Sequence, residues 1–238
     1  NSWHSSAKNL RKERMNKERY AIIVAGGRGL RMGGELPKQF LPLSGKPVLM
    51  RTLELFEGEV SRIILVLPED HIPFWQELCQ KYHFTLPHTV ALGGETRFHS
   101  VRSGLSHLPQ AGLVAVHDGV RPLASRALIR RSFEEAERSG AALPACPVTD
   151  SLRLRQDEGK SEAVDRSRYV AVQTPQTFDL GQLQQAYEQA YSPLFTDDAS
   201  VYEAASLGSI TLIDGEETNI KLTTPRDLLL AELLLREK

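Results

Sequence analysis

Cysteine is scarce: Cys79 and Cys146 are the only two in 238 residues. They lie far apart in apolar contexts, which excludes a disulfide framework and leads us to expect a reducing, cytoplasmic setting. A lone thiol in such a context reads as a small buried hydrophobe rather than a nucleophile. Long apolar runs are missing too. No stretch approaches the ~20 residues of a membrane span. Neither sign of charge is in excess, with 29 Lys and Arg against 30 Asp and Glu. That balance leaves no overall basic field for nucleic acid or an anionic membrane, so neither is expected as a partner. Internal repeats and low-complexity tracts are absent. What is present is ordinary globular composition, 41% hydrophobic and 25% charged, in a chain long enough for one large domain.

One stretch departs from this balance. Residues 1–19 carry six basic side chains against Glu13 and Glu18, a net of +4. The stretch lacks the continuous apolar segment of a secretory signal. It reads as a disordered extension, with Met15 a candidate native start, and the single domain is placed at 20–236.

Along that domain, short apolar runs alternate with helical periodicity. Strands are expected at 22–25, 63–67, 89–92 and 113–116, the last ending at His117 and Asp118. Helices are expected at 49–56, 71–82, 100–108 and 127–138, the last closed by Gly140. This alternation predicts an α/β fold: a mostly parallel, Rossmann-like sheet with helices on both faces. The polar segment 147–172 breaks the pattern, with short β-like runs around Asp157-Glu158-Gly159-Lys160. It reads as a projecting β-hairpin arm with little core of its own, so a second copy of the chain is expected to pack against it as a homodimer. Helices at 180–191 and 197–206 follow. A strand at 209–213 and the segment "TNIKL" are expected to close the sheet. The last helix takes Thr224 as N-cap and Pro225 at its first position.

The chemistry-bearing stretch is "AGGRGLRMGGELPKQF" at 25–40. It fails the Walker A pattern, since no Gly-Lys-Ser/Thr occurs. It also fails the dinucleotide fingerprint: Gly27 and Gly29 fit, but the third position falls on Met32. What remains is a long glycine-rich loop with four basic residues and one acidic residue over 26–46. Glycines admit phosphate oxygens close to the backbone, and turn amides form an anion nest. Arginine adds a bidentate fork and lysine a point charge. Such a loop suits a triphosphate.

This loop resembles the signature of the sugar-phosphate nucleotidyltransferases, and in particular the cytidylyltransferases acting on 2-C-methyl-D-erythritol 4-phosphate in non-mevalonate isoprenoid synthesis. The resemblance continues in order through "GGETRFHSV" (93–101), "HDGVRP" (117–122), "PVTDSL" (147–152), "VDRS" (164–167), "QTPQTF" (173–178), "TDDAS" (196–200) and "NIKLTTPRD" (219–227). It spans about residues 20–236. It implies that the phosphate of the alcohol substrate attacks the α-phosphorus of CTP, transferring CMP and releasing pyrophosphate. Arg31, Lys38 and Lys221 match the cations that act on the transferred phosphoryl group.

Cytosine and nucleotide contacts are implied at Ala25, Gly26, Gly27, Gly94, Glu95, Ser100 and Gly119. Substrate contacts are implied at Asp118, Arg121, Ser151, Arg166, Thr174 and Thr196, with Arg166 reaching the site of the neighbouring subunit. Asp118 is also implied to lie near a Mg²⁺ held largely by CTP phosphates. Glu95, Gly119 and Ser151 depart from the Asp, Ala and Thr common in the family. His99 and His117 read as structural. Three alternatives stay open: a ribitol- or other polyol-phosphate cytidylyltransferase, an inactive nucleotide-binding regulator, and a nucleic-acid binder acting through the basic N-terminus.

Overall fold

The computed structural model describes residues 17–26 and 36–237. Gly27, Arg28 and Arg31 of the glycine-rich loop lie outside the described residues, as does 1–16. Strand β1 (Arg19–Val24) begins inside the stretch read as an extension, and Lys17 pairs with Asp179 at 2.7 Å.

A two-stranded clip, β2 (Pro42–Leu43) and β3 (Lys46–Pro47), leads to α1 (Val48–Glu54). The first half continues with β4 (Arg62–Leu67), α2 (Ile72–Lys81), β5 (Thr89–Leu92), α3 (Arg97–Leu105) and β6 (Leu113–Asp118). The second half holds α4 (Arg126–Ser139), β7 (Ala141–Pro147), β8 (Arg153–Arg155), β9 (Ser161–Ala163), β10 (Val170–Val172) and β11 (Gln176–Asp179). It ends with α5 (Leu180–Ala186), α6 (Asp198–Ala204), β12 (Thr211–Asp214) and α7 (Pro225–Arg236).

The main sheet runs β10-β7-β11-β6-β1-β4-β5, with β12 beside β7. β1 pairs parallel with β4 and β6, β4 with β5, and β7 with β12; β11 and β10 are the antiparallel members. Both faces are covered, and the central strands are apolar at nearly every position. Along β1, Tyr20 and Ile22 enter one core with Phe98, Val101, Phe178 and Tyr202. Ala21 and Ile23 enter the other with Leu49, Leu53, Trp75 and Phe133. A side-chain period of two, buried on both sides, is what a parallel strand under two helical layers requires.

Helix α4 shows how local chemistry sets boundaries. The Ser125 hydroxyl accepts from Leu128 N at 2.9 Å, and Gly140 closes the helix at φ 91°, a left-handed cap that glycine adopts without a Cβ penalty.

The hairpin falls inside the expected arm but is narrower: β8 and β9 pair antiparallel, whereas β10 returns to the main sheet beside β7. Leu154, Tyr169, Val170 and Val172 are exposed there. Two expectations need correction. The segment "TNIKL" forms no strand; Asn219 and Leu222 are buried from an irregular stretch, with Leu222 N donating to Val120 O. The helix expected at 180–191 stops at Ala186, its end bonded through Tyr187 N to Leu183 O and Gln184 O.

Candidate active site

The C-terminal ends of β1, β5 and β6 open into one cleft of about 510 Å³. This is where open α/β sheets place ligands, because strand ends and helix starts leave backbone groups unpaired there. Its walls carry Ala25, Gly26, Lys38, Gly94, Glu95, Thr96, Arg97, Ser100, Asp118, Lys221 and Thr223. A second opening shares Gly26, Gly94 and Glu95 and continues over Pro68, Glu69 and Asp70. The described walls of the first opening thus hold three cations against two carboxylates.

Lys38 starts a 3-10 turn, Lys38–Phe40, held by the two residues behind it. Phe40 is buried edge-on against Phe74 and His71. Gln39 is buried and donates from Nε2 to Ala25 O at 3.1 Å, tying the turn to the end of β1. The loop after β5 is set by Gly94, whose amide donates to Ser100 Oγ at 3.1 Å. A Cβ at Gly94 would come within 2.4 Å of His99 Cβ, so only glycine allows that approach. Thr96 caps α3.

Asp118 is the electrostatic centre. Its Oδ2 lies 3.2 Å from both Lys221 Nζ and Arg121 Nε, and its Oδ1 lies 4.0 Å from Arg97 Nε. Burial alone would raise this carboxyl, but Arg97, Lys221 and Arg121 together outweigh it and hold it well below the usual carboxylate range. Asp118 is therefore an anion at any working pH.

Behind it, His117 is fully buried, and burial pulls its imidazole down to about 4. It is neutral, and its neighbours fix the tautomer. Nε2 faces the Arg121 carbonyl at 2.9 Å and must carry the hydrogen. Nδ1 then accepts from the Thr174 hydroxyl at 3.0 Å, and that same hydroxyl accepts from Asp118 N at 3.0 Å. His117 is structural, as the sequence suggested. Thr174, for which a substrate contact is implied, has its one hydroxyl hydrogen turned to His117 here.

The structure thus gathers Ala25, Gly26, Lys38, Gly94, Glu95, Ser100, Asp118 and Lys221 at one cleft, with Arg121 against Asp118. Gly119 sits behind it, its amide and carbonyl engaged by Val24 O and Thr52 Oγ1. Ser151, Arg166 and Thr196 are not among the residues lining it. Arg166 donates to its own chain's Thr149 O within the arm. Gly27 and Arg31 lie outside the described residues.

Arg97 was not anticipated from sequence. Its Nη2 donates at 2.6 Å to Asp198, which is fully buried and also accepts from Tyr187 OH at 2.6 Å. Burial works against the Arg97 charge, but Asp198 and Asp118 more than offset it and raise its pKa. The available signal was faint: a buried aspartate in "TDDAS" needs a cation, yet nothing local names one 101 positions away.

A family model described as 2-C-methyl-D-erythritol 4-phosphate cytidylyltransferase matches residues 20–237. A relative of that name from Porphyromonas gingivalis is 58% identical over 93% of this chain and 99% of its own. One from Phocaeicola vulgatus is 52% identical over 91% and 99%. Among solved structures, the 4-diphosphocytidyl-2C-methyl-D-erythritol synthase of Anaerococcus prevotii superposes with a TM-score of 0.78 at 30% identity, covering 92% of this chain and 99% of that one. The cytidylyltransferase of Thermus thermophilus superposes at 0.73 and 33%, with the same coverage.

Proposed function

The chain belongs to the 2-C-methyl-D-erythritol 4-phosphate cytidylyltransferase family, and we propose how its cleft carries out that reaction. The enzyme transfers CMP from CTP to 2-C-methyl-D-erythritol 4-phosphate in isoprenoid precursor synthesis. A phosphate oxygen of the alcohol substrate forms a bond to the α-phosphorus, and the bond to the β-phosphate breaks, releasing pyrophosphate. No proton need leave the nucleophile, since a phosphate monoester is already an anion. The difficulty is charge, which gathers on the oxygens around the transferred phosphorus.

The observation that carries our reading is the placement of Lys38 and Lys221 on one cleft with the Asp118 cluster between the sheet ends. In this reading, Lys38 grips the triphosphate side together with Arg31 of the glycine-rich loop. Lys221 faces the attacking phosphate and the α-phosphorus. Preorganised cations of this kind stabilise charge without paying for reorientation during the reaction. Gly94 and Ser100 form the base end, where a narrow loop suits a pyrimidine, with Glu95 at its rim. Asp118 accepts from substrate hydroxyls and so releases Lys221 towards phosphate. Arg121 holds Asp118 during that exchange. Thr174 supports Asp118 from behind.

Magnesium is part of this proposal. One carboxylate, Asp118, beside phosphate oxygens is a donor set that Mg²⁺ accepts in nucleotide sites. Among the described residues no group of three acidic, His or Cys side chains forms a protein cage, so the triphosphate would supply most ligands. When bound, the ion would neutralise phosphate charge.

The exposed apolar side chains of the arm support a homodimer in which Arg166, with Ser151 beside the arm's base, reaches the partner's substrate phosphate. Thr196 would join the same substrate from the start of α6. The free thiols Cys79 and Cys146 fit a reducing cytoplasm. Among the described residues no helix is long and apolar enough to cross a membrane. The reading is tested by whether pyrophosphate release from CTP requires the alcohol phosphate; release indifferent to it would contradict the assignment.

A further inference from the structure

We propose that Asn219 is a positioning residue that seats Lys221 and Arg121 against the Asp118 carboxylate, and that it acts on the transfer step through these two cations. The inference rests on the reading of Lys221 as a group that acts on the transferred phosphoryl.

Asn219 is fully buried in an irregular segment between β12 and α7. Irregular backbone inside a protein needs partners for its polar groups, and side-chain amides can provide them. Asn219 provides them in both directions. Its Nδ2 donates to Thr174 O at 2.8 Å and to Gln173 Oε1 at 3.3 Å. Its amide donates to Glu216 O at 2.9 Å. Its main-chain carbonyl accepts from Arg121 Nη1 at 2.6 Å.

These contacts converge on the reacting cluster. Thr174, gripped by the Asn219 amide, is the residue whose hydroxyl receives Asp118 N. Arg121, gripped by the Asn219 carbonyl, is one of the two cations on Asp118 Oδ2. Lys221, the other, is two residues further along the same segment. On its far side Leu222 N donates to Val120 O at 2.9 Å. Lys221 is thus bracketed, and only its own side-chain torsions remain to aim it. The buried side-chain amide ties the backbone at 219 to the 173–174 segment that supports Asp118, and that backbone in turn carries both the main-chain carbonyl that holds Arg121 and the origin of Lys221.

Among the described residues, Asn219 Oδ1 finds no hydrogen-bond partner although it is buried. An unmade bond at a buried acceptor is a net cost. The two donors on the same amide, and the geometry they impose, are what the side chain contributes. The amide orientation is itself settled by its partners: Thr174 O and Gln173 Oε1 can only accept, so the nitrogen must face them.

The test is steady-state pyrophosphate release with CTP and 2-C-methyl-D-erythritol 4-phosphate, measured on wild type, Asn219→Ala, Lys221→Ala and the double variant, with Asn219→Ser as the partial replacement. Melting curves establish which variants fold. Asn219→Ala should lower kcat by roughly 10- to 100-fold, because a displacement near 1 Å of a positioned group costs about that much. KM for CTP should stay within about twofold, since the triphosphate grip lies elsewhere. In the Lys221→Ala background the same change should cost distinctly less than in wild type, because the share of its effect that runs through Lys221 is already lost. Asn219→Ser, which keeps one donor for Thr174 O, should recover part of the loss.

A kcat within about twofold of wild type, or an equal loss in both backgrounds, overturns the proposal. Should Asn219→Ala not fold, the Ser variant is judged by the same criteria in both backgrounds. Failure of both to fold also overturns it, by making Asn219 a structural residue only. Wild-type kcat in Lys221→Ala alone would instead overturn the underlying reading of the site, and the positioning role with it.

Discussion

Lys221 Nζ lies 3.2 Å from Asp118 Oδ2 across the mouth of the cleft. The two residues come from segments about a hundred positions apart, and the carboxylate is shared with Arg121 and Arg97. Lys221 stays partly open to the cleft while it holds this pair. In the proposed reaction, substrate hydroxyls would take over Asp118 and Lys221 would change partner without leaving the site.

The first prediction concerns this cation and its opposite number. Lys221→Ala and Lys38→Ala should each lower kcat by roughly 100-fold or more, as losing one preorganised donor often does. Pyrophosphate release at saturating substrate measures it. A near-normal kcat in either variant would count against a role in stabilising the transition state.

The buried histidine sets a pH dependence of stability. His117 has a folded value lowered to about 4 from an ordinary 6.5. A depressed folded value means that its contribution is fully present above about pH 6.5 and is lost as pH falls through about 4. In that window the unfolded chain binds the proton and the folded chain does not. Chemical denaturation of wild type should therefore show stability falling from pH 7 to pH 4. His117→Asn should show a shallower fall over that range. Parallel curves would contradict a neutral buried imidazole.

Ion pairs in different settings should differ in worth. Arg97→Met strands a fully buried Asp198 and should cost about 3–5 kcal/mol in urea denaturation. Arg130→Ala breaks a pair with Glu59 whose arginine is exposed on the surface of α4, and should cost far less, because solvent screens that pair. Equal costs would mean that Asp198 finds another partner.

Much of this arrangement was legible in the sequence because it depends on local signals. β1, β4 and β6 are apolar at nearly every position, and Gly140 and Thr224 punctuate helices through their own local bonds. What escaped depends on distant partners. β11 reads as polar, yet Gln176 and Thr177 are buried because Asp197 and Ser132 satisfy them. "TNIKL" alternates like a strand, but its apolar members fill a small core with Val120 and Ala231 instead. Arg97 carries no local mark of its tie to Asp198. Lys38, Asp118 and Lys221 could be picked out from their motifs, whereas the network that aims them could not.

The arm yields a kinetic prediction. Arg166→Ala should raise KM for the alcohol phosphate by roughly tenfold or more while leaving KM for CTP nearly unchanged, as loss of one charge-assisted phosphate contact implies. Equal effects on both would sink the assignment of Arg166 to a partner's substrate site.

The central claim is that this cleft joins cytidine triphosphate to one particular alcohol phosphate. The most direct measurement is a matrix of CTP, UTP, ATP and GTP against 2-C-methyl-D-erythritol 4-phosphate and ribitol 5-phosphate, scored by pyrophosphate release. CTP with 2-C-methyl-D-erythritol 4-phosphate should exceed every other combination in kcat/KM. A higher value with ribitol 5-phosphate, or with a purine nucleotide, would contradict the account.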